Sequence, residues 1–144
     1  MSNIFIDEVC EEKIPVKTIL ENLKNIPLGD QEEELPCYAA MIAEELHKKR
    51  ITPTQLRRFY TYVKAIGQKN LHLKPDEEIK DKAKLKFLLP KLAGSVKRTE
   101  KSKIEPLYRV IASCLHDNRI QEVKDLELFI EFFEAILDYH ETFR

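Results

Sequence analysis

Tryptophan is absent and glycine nearly so, with three in 144 residues. So little glycine excludes the Gly-rich phosphate loops of nucleotide-binding folds, and neither G-x-S-x-G nor H-E-x-x-H occurs. The three cysteines, Cys10, Cys37 and Cys114, stand alone without a C-x-x-C pair, so neither a zinc site nor a disulfide framework is expected. Cys37 and Cys114 read as small core residues. The four histidines are scattered, and no metal or cofactor is expected. No apolar run approaches the roughly 20 residues of a membrane span. The start, MSNIFIDEVCEEK, lacks the basic opening and small-residue cleavage site of a signal peptide, which makes a cytoplasmic protein without a membrane partner the expectation.

What is present is helical periodicity almost throughout. At 144 residues and 43% apolar composition, the chain has enough material for one core and too little for two comfortable domains. We expect a single all-α domain over residues 1–144, a compact bundle of about five to six helices. Val16, Ile19, Leu20 and Leu23 mark a first helix between Pro15 and Pro27, and the acidic GDQEEEL follows as a loop. CYAAMIAEELHKK after Pro36 gives a second, with cations at its C-terminal end where they suit the macrodipole. After a polar linker from Gln68 to Asp76, the fourth segment, EEIKDKAKLKFLLPKLAG, must kink or end at Pro90. Lys97 to Lys103 reads as a loop. Leu107, Val110, Ile111, Cys114 and Leu115 form a fifth helix, and Asp117 with Asn118 a turn.

The third helix is the best specified. In ITPTQLRRFYTYVKAIG, Thr52 is an N-cap, Pro53 suits the first helical position and Gln55 can bond back to the cap. Ile51 and Leu56 have staple spacing, and Gly67 reads as the C-terminal stop. Leu56, Phe59, Tyr60, Val63 and Ile66 share one face, while Arg57, Arg58, Thr61 and Lys64 lie on the other. That basic face gains meaning from the charge distribution. Residues 1–50 carry 6 Lys or Arg against 11 Asp or Glu, residues 51–109 carry 15 against 6, and residues 110–144 carry 3 against 8. A formal net charge of −1 thus conceals segments of −5, +9 and −5. Clustered cations of this kind are the footprint of a polyanion site.

The last helix, roughly Glu122 to Thr142, bears two apolar stripes. One is Leu126, Phe129, Ile130, Phe133, Ile136 and Leu137, and the other is Leu128, Phe132, Ala135 and Tyr139. Between them Glu127, Glu131, Glu134, Asp138 and Glu141 fall within about 80° of arc. The helix should be buried nearly all round, anchoring the bundle or an interface, and its acidic strip would turn phosphate away.

Three blocks in order resemble a known family, the small subunit of the type III-A CRISPR effector, the Csm complex. ITPTQLRRFYTYVKAI is similar to that family's Thr/Ser-rich cap followed by a basic pair and an aromatic. LKFLLPKLAGSVKR is similar to its Leu-Pro-Lys-Leu-Ala segment running to an arginine, with Gly94 and Ser95 where an aromatic and a small residue are common. LFIEFFEAILDYHETF is similar to its ending, with Asp138 in place of the usual small residue. The resemblance does not rest on residues 1–36.

The resemblance implies a non-catalytic all-α subunit present in several copies. Its partners would be crRNA and target single-stranded RNA, other Csm subunits (the backbone subunits and the large subunit) and copies of itself, in antiviral defence. A subunit that accepts any guide sequence holds phosphates and leaves base reading to pairing. The candidate RNA-binding residues are Arg57, Arg58 and Lys64, followed by Lys91, Lys97, Arg98, Lys101 and Lys103. Tyr60 and Tyr62 flank the basic face, Tyr60 more as a core residue than a stacking one. Two alternatives stand beside this reading. Arg109 and His116 have the outer spacing of the R-x(4 to 6)-H pattern of HEPN-type helical ribonucleases, although Val110 follows the arginine where a polar residue is common. A protein-interaction bundle without RNA would explain the amphipathic helices but not the +9 segment.

Overall fold

In a computed structural model, which describes residues 3–98 and 104–143, the chain is all-helical. The helices are α1 (Ile4–Val9), α2 (Val16–Asn25), α3 (Leu35–Lys48), α4 (Pro53–Lys69), α5 (Lys82–Lys86), α6 (Leu88–Arg98), α7 (Glu105–Cys114) and α8 (Val123–Glu141). A single antiparallel β-bridge, Glu78 with Glu122, is the extended pairing found among the described residues. No helix among them is long and apolar enough to cross a membrane.

The core is built on α3 against α8. Ala39, Ala40 and Ala43 of α3 and Phe129 and Phe133 of α8 are all fully buried, and α3 packs on α8. α4 lies along the next side of α8, with Tyr60 against Phe133 at 5.7 Å between ring centroids. α2 and α6 both pack on α7, and α1 on α3. The acidic strip of α8 stays outside: Glu127, Glu131, Glu134 and Asp138 are exposed. The apolar stripes are not equally covered, since Leu128, Ala135 and Tyr139 of the second remain half-buried while Phe132 is buried.

Several boundaries differ from the sequence expectation for physical reasons. The acidic GDQEEE is a 3₁₀ segment, Leu28–Glu34, broken at Gln31. The buried Gln31 amide explains why it is ordered, donating to the carbonyls of Asn22 and Ile26 at 3.0 and 2.9 Å. The Thr52 capping box forms as expected, but α4 runs through Gly67 to Lys69. Gly67 has another task there, because a Cβ at that position would stand 2.6 Å from Ile130 Cδ1, so glycine lets α4 and α8 close together. The stop is Asn70, whose side chain donates to the carbonyls of Ile66 (2.9 Å) and Lys80 (3.3 Å) and accepts from the Lys80 amide (2.7 Å). The fourth segment divides before Pro90, at Phe87, and Pro90 lies in the first turn of α6, where its missing N–H costs nothing. α6 extends to Arg98, into the stretch expected to be loop.

One expectation is overturned. Cys10 and Cys37 form a disulfide, with Cα atoms 5.0 Å apart and 27 positions between them in sequence. Short-range spacing carried no sign of it, because α1 reaches α3 only once the chain has folded back. Cys114 remains a free, fully buried thiol whose pKa is pushed far up by burial, consistent with an inert core residue. The Asp117 and Asn118 turn forms with both residues at positive φ, a conformation Asp and Asn tolerate.

Candidate functional site

The cations of α4 fall on two sides of the helix, because positions four and seven apart share a side and adjacent ones diverge. Arg57 and Lys64 face α8. The Arg57 guanidinium pairs with Glu141 at 2.9 Å, and Lys64 lines a groove with Glu127, Glu131 and Glu134 while its ammonium lies 5.8 Å from the Tyr60 ring centroid. Arg58 and Tyr62 face α6 instead. With Lys91, Pro90, Gly94 and Ser95 they line an open groove of about 390 Å³. The Lys91 ammonium stands 5.1 Å from the Tyr62 ring centroid, and the Tyr62 hydroxyl donates to the Lys84 carbonyl at 2.6 Å. Tyr62 is therefore fixed between α4 and the α5 to α6 segment, with a cation over its face. Glycine at 94 puts no side chain into the groove.

Two helical turns beyond Tyr62 on α4, two further lysines come together. Lys69 pairs with Asp81 at 3.5 Å, and its pKa is raised by hydrogen bonding with Lys84 and by the Asp81 charge. The Lys84 pKa is lowered by that same hydrogen bond and by the charge of Lys69. Neither lysine was singled out in the sequence. The sequence signal for both is the +9 segment itself, and they meet only because α4 continues past Gly67 and α5 is a helix separate from α6.

Of the remaining candidates, Lys97 and Arg98 belong to the last turn of α6 with side chains outside the described residues, and Lys101 and Lys103 lie outside the described residues altogether. Tyr60 is half-buried against Phe133, a packing position. The structure therefore brings Arg58 and Lys91 together and directs Arg57 and Lys64 to a different side. Arg109 and His116 are separately engaged. Glu105 holds the Arg109 guanidinium at 2.7 Å on α7, and His116 lies 3.4 Å from Asp117 on the turn beyond that helix. Among the described residues no group of three or more His, Cys, Asp or Glu is placed to hold a metal ion.

The model of one protein family, described as Csm2 Type III-A, matches residues 29–144. The chain belongs to that family. It is thereby a small subunit of the type III-A CRISPR effector complex, and other subunits of that complex are its partners. Comparisons with curated proteins and with solved structures give no match. The matched span takes in every cation discussed above and all of α3 to α8, and it leaves out α1, α2 and Cys10. The Csm2 Type III-A match thus covers the α4 to α6 groove and the acidic strip of α8 alike.

Proposed function

We propose that this Csm2 family member is the non-catalytic subunit that holds guide and target RNA by the backbone, without base preference, in a cytoplasmic effector. The observation that carries the reading is the groove between α4 and α6, where Lys91 lies over the Tyr62 ring and Arg58, its guanidinium 5.6 Å from the Phe59 ring centroid, lines the same groove. Two cations beside a fixed aromatic suit a single-stranded polyanion, since phosphates take the charge and any base presents a face to the ring. Lys69 and Lys84 extend the strip in one direction. Lys97, Arg98, Lys101 and Lys103, which follow Lys91 in sequence, complete the proposed set. Arg57 and Lys64 take part from the seam with α8, where Arg57 must exchange its Glu141 partner for phosphate. Residues 1–144 act as one domain, in several copies beside the backbone and large subunits.

The test is fluorescence anisotropy of a labelled RNA about 30 nucleotides long across a salt series. With about four phosphate contacts, log affinity should fall against log salt with a slope near −3, whatever the RNA sequence. Arg58→Glu with Lys91→Glu should remove binding at low salt while His116→Ala leaves it intact. RNA affinity unchanged by the double reversal would sink the assignment of this groove. Cleavage of the RNA that disappears in His116→Ala would replace it with the ribonuclease reading.

A further inference from the structure

The exposed side of α8 carries a second surface, of opposite character. Glu131 stands on a ridge between two apolar grooves. One, of about 270 Å³, lies toward α4, where Lys64 lines it opposite three carboxylates, and is floored by Gly67, Leu126 and Ile130. The other, of about 340 Å³, lies toward the start of α3 and is floored by Leu35, Pro36, Leu128 and Phe132. Glu131 lines both, Glu127 and Glu134 rim the first, and Glu32 rims the second. Leu71 is 71% exposed at the edge of the first groove, an unusual exposure for a leucine beside so much apolar surface.

The two properties narrow the occupant. Apolar floors gain free energy only from apolar side chains, which a phosphate backbone does not supply. Carboxylates at 127, 131 and 134 are three and four residues apart, so they repel one another along the helix and would repel an anion more strongly. The local field is negative enough that the Asp138 carboxyl is pushed up, first by burial and then by Glu134 and Glu141. A helix ridge with a groove on either side is shaped for the side chains of another polypeptide, which can fill both grooves and place cations over the ridge between them. Open grooves of a few hundred Å³ on either side of a charge are poorly shaped for enclosing a small molecule.

We propose that this face of α8 docks a Lys/Arg-bearing amphipathic segment of a different protein chain, with apolar side chains in the two grooves and cations over Glu127, Glu131 and Glu134. The proposal stands apart from RNA binding at the α4 to α6 groove. It takes from the family only the choice of complex in which to look.

The test uses the complex reconstituted from type III-A subunits and guide RNA. A photo-crosslinking benzoylphenylalanine at position 71 should couple to a Lys/Arg-rich segment of another subunit, identified by mass spectrometry of the linked peptide. Glu127→Lys with Glu131→Lys should reduce incorporation into the complex by tenfold or more. Free-chain RNA affinity should be retained or improved, which separates this site from the one at Arg58 and Lys91. If circular dichroism shows that the reversed variant does not fold, Glu127→Gln with Glu131→Gln is used instead and should weaken incorporation most at low salt. Crosslinks to RNA, crosslinks to a second copy, absence of crosslinks, or full incorporation of the folded charge variants would each overturn the proposal.

Discussion

At the scale of single residues, Asn70 does what no apolar residue could. Asn70 is buried at 1% exposure, and its amide meets two carbonyls and one N–H, closing α4 and tying Lys80 to its end. Asn70→Ala removes the buried bond to the Ile66 carbonyl and leaves the partly buried Lys80 amide without its partner, so urea unfolding should show a loss of about 2 kcal/mol. Asp138 presents the converse case, a carboxylate whose surroundings oppose its charge. A carboxyl with its folded pKa above the unfolded value, about 3.9, weakens the fold once ionised. That penalty is absent below the unfolded pKa and complete above the folded one. Asp138→Asn should therefore raise the melting temperature at pH 7, and the gain should fade as the pH falls toward about 4. An equal gain at every pH would mean that charge is not the cause.

Between elements, the Cys10 to Cys37 bond fastens the loop after α1 to α3 across 27 positions, a closure worth roughly 3.5 kcal/mol in the chain-entropy account. A thiol reductant should lower the melting temperature of the wild-type chain and leave Cys10→Ser unmoved. At the crossing of α4 with α8, Gly67→Ala brings a Cβ against the movable tip of Ile130 while improving helix propensity by about 1 kcal/mol. The two effects nearly offset, and stability should change by less than about 1 kcal/mol. Gly67→Val adds bulk without that compensation and should cost clearly more in the same unfolding assay.

These elements also show what the sequence discloses. α4 was legible to the capping box because Thr52, Pro53 and Gln55 act within one turn, and α8 was legible because its apolar spacing is strong. The end of α4 was misread because a glycine near a helix end resembles a stop, whereas here it permits an approach by a residue 63 positions later. α1 was missed for a related reason. Six residues are too few for periodicity to speak, and what fixes them, Ile6 in the core, the disulfide and Asn3 donating to Thr142 at 2.7 Å, comes from far along the chain. The basic character of the middle segment was evident in composition. Which cations share a side was not, since Arg58 meets Lys91 only across the α4 to α6 packing.

For the molecule as a whole, the segments of −5, +9 and −5 are folded so that cations line the groove on one side of α4 while carboxylates line the one on its other side. A permanent dipole of this kind feels a torque in the field of a polyanion, and the torque acts beyond contact range when salt is low. The chain would be turned before it lands, so that encounters with RNA begin in nearly one orientation. The association rate for RNA should fall with added salt more steeply for Glu127→Gln with Glu131→Gln than for the wild type, because losing two carboxylates turns the formal net charge from −1 to +1, although those two groups need never touch the nucleic acid. Gly67, by letting α4 lie close on α8, then does more than relieve crowding. The groove that carries the carboxylates is the one this close approach shapes, since Gly67 and Ile130 both line it.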